Sequence, residues 1–490
     1  MDLESWKEPK VILASVLLLV TARAVYKKKQ ITRRPPVVYY AVPWVGSAID
    51  LGKSPDAFFK RAIAKYGDIF TVKAFGRTIT YITSPQLIAE VYKNPQKYDF
   101  PQIRENVGAE VFMISENLAH APFMQETLFP LNHKLLSQKH VQPIVDKCIA
   151  LIYQDLKERA NQYDGLNIAL RDFIVPLTFD ASGHAFFGKD FPVNEFLEPF
   201  KSFDDNFHLL LAGVPKIFMR GPVNALDRLV TIIEEKYLSK PHALDDAFDL
   251  IKEYERLTKE SGFNTRDVAR LIVTFLWALQ TNAPLAPYWI IALNLQRPDG
   301  LEPLVTEVDE AVISWNTANP TLPLDSHQNV VDFINQTDLP LLNSTIQETL
   351  RFTTSVMSIR TVMDTTELGG YTFNRGDEVV CSIRTVHLDP EIHEQPNEYI
   401  PTRYMTHRKF TKNGKPVTNH TMPFGGGVSM CEGRHFAQKE LKALLALLLM
   451  KYTIEVDPKS TERPVFLEER MGVGLMHPKG DIRVIIHTRE

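Results

Sequence analysis

The stretch Phe424-Gly-Gly-Gly-Val-Ser-Met-Cys431-Glu-Gly433 decides the reading of this chain. Four of its ten residues are glycine, which tolerates dihedrals and close backbone approaches that a Cβ forbids. A cysteine held in such a loop faces something large. The residues that follow, 434 to 452, place Phe436, Ala437, Leu441, Leu444, Leu445 and Leu448 at helical spacing. A thiolate at the start of a helix is favoured by the dipole and by free backbone N–H groups.

This combination suits a permanent thiolate metal ligand, and a haem iron with one axial cysteine fits it. Other readings compete. A phosphate-binding loop would end in Gly-Lys-Ser/Thr or follow the GxGxxG spacing, and neither occurs here. Gly427-Val-Ser-Met-Cys431 resembles a nucleophile elbow, but cysteine stands where the last glycine belongs. A structural zinc site needs about four ligands, and the chain has only Cys148, Cys381 and Cys431. Most free cysteines are simply buried and inert. The loop alone leaves haem ligation and an inert cysteine level.

Other stretches tip the balance. Glu348-Thr-Leu-Arg351 lies in a predicted helix over 343–352, where i,i+3 spacing puts both charges on one face. An exposed ion pair of little consequence is the bland reading. Tyr399-Ile-Pro-Thr-Arg403-Tyr404 supplies a second arginine, and a carboxylate between two guanidinium groups can be buried with its lone pairs satisfied. Glu348-x-x-Arg351, Pro401-x-Arg403 and Phe424-x-x-Gly427-x-x-x-Cys431-x-Gly433 stand in order, Cys431 lying 83 residues after Glu348. In this joint pattern the chain closely resembles the cytochrome P-450 family of haem-thiolate monooxygenases, from its N-terminus to its C-terminus.

The resemblance implies a mainly α fold with small β sheets and a bound haem b. It makes Cys431 the iron ligand, with Phe424 beside the sulfur and Gly425 and Gly433 shaping the loop. Glu348, Arg351 and Arg403 become a structural ion triad, and Arg360 a partner of a haem propionate. The family often has Arg or His where this chain has Ser429, whose hydroxyl can bond a propionate but not neutralise it. Trp-x-x-x-Arg is missing from residues 123–145, where His133, Lys134 or Lys139 would have to substitute.

Length and composition agree. A chain of 490 residues with 44% apolar content buries a large core. No linker, repeat or low-complexity tract follows residue 50, so residues 31–490 read as one catalytic domain. A net charge of −4 gives no pull toward nucleic acid. Three cysteines without paired spacing fit a reducing compartment. Residues 11–26 form an apolar run of about 24 Å as a helix, short for a bilayer core of about 30 Å. Lys10 and Arg23 can snorkel to extend it. Lys27-Lys28-Lys29 and Arg33-Arg34 follow, and basic flanks stay cytoplasmic. Residues 1–30 therefore read as a single-pass, uncleaved anchor in the endoplasmic reticulum membrane, with the catalytic domain facing the cytosol. A cleaved signal peptide and an amphipathic helix are the rivals. Strand signals fall at 68–74, 78–82, 378–382 and 481–487.

Residues 271–289 predict the long helix that crosses the haem face, distorted by Pro284 and Pro287. A kinked core helix without a chemical role is the plain alternative. The family usually places an acid and a threonine here to relay protons; this chain has Thr281 and Asn282, so the acid–alcohol pair is absent from the helix. Trp277-Ala-x-Gln-x-Asn282 and Ser429 resemble the branch of cholesterol 7α-hydroxylase, sterol 12α-hydroxylase and prostacyclin synthase. That branch implies catalytic positions at Asn282 and Thr281. Its chemistry divides between hydroxylation and an isomerisation that needs neither dioxygen nor electrons. We expect a monooxygenase acting on a sterol, terpenoid or similar natural product. It would draw electrons from NADPH through cytochrome P-450 reductase, with cytochrome b5 as a second donor. A haem-thiolate isomerase or dehydratase and a non-catalytic haem protein are the alternatives. Residues 207–219 read equally as a membrane-dipping roof over the pocket or a buried helix pair. Arg408, Lys409, Lys412 and Lys415 read as a basic face for an acidic electron donor or as a solvated loop.

Overall fold

The computed structural model describes residues 34–489. The expected anchor lies outside the described residues, and among these no helix is long and apolar enough to cross a membrane. The chain forms two compact units.

The smaller unit takes the described residues up to Asp99, and Ile359–Cys381. Its sheet runs in the order Ile69–Ala74, Arg77–Ile82, Glu378–Ser382, Met357–Val362, Tyr98–Asp99. The first two strands make an antiparallel hairpin that closes at Ala74↔Arg77. The two loop residues, Phe75 and Gly76, both have positive φ, 48° and 78°, which matches the right-handed twist of the flanking strands. Phe75 meets Trp44 edge-on at 5.5 Å. Arg77–Ile82 then pairs in parallel with Glu378–Ser382, Ile82 opposite Cys381.

The larger unit comprises Phe100–Ser358 and residues 382–489. The Gln142–Glu158 helix packs against both Leu170–Phe187 and Arg434–Lys451. Leu444, Leu445, Leu447, Leu448 and Leu449 of the last helix are all within the core, each contributing roughly 1.5–3 kcal/mol over an exposed position. A three-stranded antiparallel sheet, Tyr452–Val456, Arg483–Thr488 and Leu166–Ala169, follows that helix. Glu348 and Arg351 lie in the helix Pro340–Thr353, slightly longer than the sequence predicts because Pro340 suits a first turn.

One expectation is corrected. Residues 271–289 do not form a single kinked helix. Thr265–Gln280, started by a capping box of Asn264 and Asp267, ends in a turn over 281–284. A second helix, Leu285–Leu295, begins there. Pro284 caps it and Pro287 occupies its first turn, where a missing N–H costs no intrahelical bond. The prolines start a new helix instead of bending the old one.

Candidate functional site

The cysteine loop is tied to itself. The Cys431 N–H donates to the Phe424 carbonyl at 2.9 Å, and Gly425 N–H to Met422 at 3.0 Å. Gly425 and Gly427 have φ of 70° and 66°, a conformation that side-chain-bearing residues rarely adopt. Phe424 packs against the core. The Ser429 hydroxyl donates to Gly426 O at 3.2 Å, within the same loop. Gly433 caps the Arg434–Lys451 helix. Of the three cysteines, Cys148 and Cys381 are buried and Cys431 is accessible.

The sulfur receives the backbone N–H groups of Gly433 and Arg434. Burial nevertheless pushes its thiol up, and these two donors only oppose the shift. The N–H groups at the helix start thus favour the thiolate, as the sequence reading expects, against the opposing effect of burial. A coordinated metal ion deprotonates such a thiol outright.

Glu348, Arg351 and Arg403 come together in the core, each 2% exposed or less. The Glu348 carboxylate accepts from Arg351 Nε at 2.7 Å and Nη2 at 2.9 Å, from Arg403 Nε at 2.9 Å, and from the Ile400 N–H at 2.9 Å. The remaining guanidinium N–H groups bind backbone carbonyls, among them His387, Pro396 and Glu398 for Arg351. The carboxylate and both guanidinium groups are hydrogen-bonded inside the core, so the pair is not a surface bridge.

Two residues escaped the sequence reading. His387 joins the triad to the cysteine loop: its Nδ1 bonds Arg351 O at 3.1 Å and its Nε2 accepts from Met422 N–H at 2.8 Å. Burial holds the imidazole well below its ordinary value, with His393 and Arg351 reinforcing this, so one ring nitrogen donates and the other accepts. Arg104 is part-buried, its guanidinium 3.9 Å from the Phe129 ring centroid. Burial lowers its basicity, offset partly by Glu432, the neighbour of Cys431. It has no hydrogen-bonded carboxylate among the described residues. A lone histidine and a lone arginine carry no spacing signal, which is why both were passed over.

The remaining expected residues are placed as follows. Arg360 is buried in the smaller unit, 5.3 Å from the Tyr92 ring, and donates to Ile359 O at 2.7 Å. His133 pairs with Glu432 at 3.3 Å. Thr281 Oγ1 donates to Asp204 Oδ1 at 2.6 Å, a carboxylate at the end of another helix, Val193–Asp204. Asn282 Oδ1 accepts from the Leu475 N–H at 2.8 Å. In 207–219, Phe207 and Leu210 are buried while Ile217 and Phe218 are 65% and 77% exposed, so the stretch is core at its start and surface at its end. Arg408 pairs with Glu394 at 3.3 Å and Lys412 with Asp389 at 2.8 Å, which takes two of the four charges out of the expected basic face.

This donor set fits a haem. It offers an accessible soft sulfur with two N–H donors, a glycine loop beside it, and a part-buried cation suited to a carboxylate. The comparisons agree. The family model for Cytochrome P450 matches residues 35–484. A cholesterol 7-alpha-monooxygenase from Cricetulus griseus is 26% identical, over 93% of this chain and 94% of its own. Prostacyclin synthase from Rattus norvegicus is also 26% identical, again over 93% and 94%. In fold, the crystal structure of a cytochrome P450DA heme domain superposes with a TM-score of 0.69 at 19% identity, covering 93% of this chain and 98% of that one. The chain belongs to the cytochrome P450 family, in the branch that its sequence resembles, and is a haem-thiolate oxidoreductase of the monooxygenase class.

Proposed function

We propose that this enzyme inserts one atom of dioxygen into a C–H bond of a sterol or similarly fused lipophile. The second oxygen atom leaves as water, taking up two electrons from NADPH, delivered by a reductase, and two protons. The observation that carries this reading is the near full-length similarity to a cholesterol 7-alpha-monooxygenase.

Cys431 would hold the haem iron in this reading. The bound haem supplies the oxygen-activating redox chemistry; the chain supplies everything that holds it. The Gly433 and Arg434 N–H groups stabilise charge on the sulfur. Phe424 limits its solvation. The triad fixes the loop through His387, because neither Arg351 nor Met422 can shift without breaking a buried hydrogen bond. Arg104 would pair with a carboxylate of the cofactor.

Residues 11–26 anchor the protein in the endoplasmic reticulum membrane, the catalytic part facing the cytosol. Ile217 and Phe218 form an apolar tip that dips into the same bilayer, so substrate enters from lipid. Lys409 and Lys415 offer charge to an acidic electron donor.

The test is turnover of a sterol panel with reductase, NADPH and air, beside an anaerobic arm without reductase. Product in the first arm alone supports the proposal. Equal product in both arms replaces it with the isomerase chemistry suggested by the prostacyclin synthase relative. A haem spectrum without product in either arm leaves a binding protein.

A further inference from the structure

Asp204 ends the Val193–Asp204 helix and is 5% exposed. Its Oδ1 accepts from Thr281 Oγ1 at 2.6 Å and from Trp277 Nε1 at 2.9 Å, one turn apart. Its Oδ2 faces Arg470 Nη2 at 3.2 Å. Arg470 is itself buried and also reaches Asp205 at 3.4 Å. One carboxylate thus joins three segments distant in sequence. Burial pushes the Asp204 carboxyl up, while Arg470, Thr281 and Trp277 hold it down.

The loop that begins at Arg470 is stitched to the same broken helix twice more. Asn282 Oδ1 takes the Leu475 N–H at 2.8 Å, and Trp289 Nε1 donates to Met476 O at 2.7 Å. A Cβ on Gly474 would lie 2.0 Å from Asn282 Oδ1. Gly472 and Gly474 have φ of 113° and 71°, so the loop has little conformational preference of its own. Its shape comes from these clasps.

We propose that Asp204 is a positioning residue that determines specificity. It acts through Thr281, Trp277 and Arg470 to fix residues 470–477 against the break in the helix, and so sets the shape of the space offered to substrate. The last link rests on the haem-enzyme reading; the clasp does not. Its two ends are separable. Asp204→Asn keeps Oδ1 for Thr281 and Trp277 but turns an amide NH2 toward Arg470. Thr281→Val with Trp277→Phe removes the helix end and leaves Arg470 paired.

The experiment uses the full-length haem protein in both variants. Hydrogen exchange is followed over 277–282 and 470–477, and imidazole and 4-phenylimidazole are titrated by the haem absorption band. The expected result for Asp204→Asn is exchange about tenfold faster over 470–477, with 277–282 within about twofold. The ratio of the two azole dissociation constants should shift about fivefold at unchanged haem content. The double variant should loosen 277–282 first. Unchanged exchange over 470–477 overturns the clasp, as does an azole ratio that moves only in step with haem loss. Lost turnover with a large solvent isotope effect and unaltered exchange would make Asp204 a proton donor instead. If the unmutated protein shows no azole shift, it is the haem reading that fails, and exchange still decides the clasp.

Discussion

His387 Nε2 accepts the Met422 backbone N–H at 2.8 Å, and this bond is where the buried ion triad touches the cysteine loop. Without the imidazole, the Met422 N–H and the Arg351 carbonyl lose partners in a dry site. Each orphan costs about 1–3 kcal/mol. We expect His387→Ala to lower stability by roughly 2–5 kcal/mol and to raise the fraction of protein whose reduced carbon monoxide complex lacks the thiolate-type band. A variant with wild-type melting and spectrum would refute the link.

Glu348 accepts four hydrogen bonds and is fully buried. Glu348→Ala leaves two guanidinium groups facing each other, at a cost of about 3–5 kcal/mol. The expected product is misfolded or haem-free chain, read by haem content per protein after purification. A haem-loaded, stable Glu348→Ala protein contradicts this.

Glu440, on the Arg434–Lys451 helix, is buried, and its Oε1 has no hydrogen-bond partner. Burial pushes its carboxyl up to about 8, with Ser182 opposing. Between the ordinary value near 4.5 and about 8 the folded state keeps a proton that the unfolded chain releases. Stability contributed by this group is therefore full at low pH and falls as pH rises through that window, by roughly 3 kcal/mol at neutrality. Glu440→Gln should stabilise the protein at pH 7 and flatten that part of the pH–stability curve. Denaturant titrations at pH 5 and pH 7 check both, and an unchanged difference between the two pH values counts against it.

Arg104 is the part-buried cation without a hydrogen-bonded carboxylate. Arg104→Met should speed haem loss to an apoglobin acceptor by about ten- to a hundredfold, equivalent to about 1–3 kcal/mol. Arg104→Lys should recover part of this, since charge persists but the planar fork is lost. Equal loss rates in all three proteins would free Arg104 of this role.

Ile217 and Phe218 present bare apolar surface on the larger unit. In protein lacking residues 1–30, Ile217→Ser with Phe218→Ser should weaken vesicle binding by about 3–6 kcal/mol. Sedimentation with phosphatidylcholine vesicles measures it, and unaltered partition would assign membrane attachment elsewhere.

The triad and the cysteine loop were legible because their chemistry is written at fixed short spacings: Glu348 and Arg351 one turn apart, Gly425, Gly427 and Cys431 in one loop. The strands near 69–82 and 378–382 were legible from β-branched runs between turn residues. Asp204 was not, since its partners lie 73 and 77 residues on at Trp277 and Thr281, and 266 on at Arg470. Nothing local marks such a residue. Thr281 and Asn282 stand out in the sequence only as the residues aligned with the family's acid and alcohol, and alignment does not tell a group aimed at a ligand from one bonded to another segment, as Thr281 is to Asp204 and Asn282 to Leu475. The helix break was mistaken for a kink because proline at a first turn and proline in an interior look alike until the start is known.

The parallel pairing of Arg77–Ile82 with Glu378–Ser382 also governs when the protein can fold. Arg77 and Glu378, bonded at 3.0 Å, are 301 residues apart. At about 5–20 residues per second, a ribosome needs roughly 15–60 s to supply the second strand after the first. Throughout that interval the hairpin Ile69–Ile82 has an open edge carrying Ile79, Tyr81 and Ile82. An unpaired edge recruits any strand it meets. Yield in a cell should thus follow elongation rate and chaperone supply more closely than equilibrium stability, and codon changes that slow residues 83–377 should lower soluble protein without altering a single contact in the finished fold.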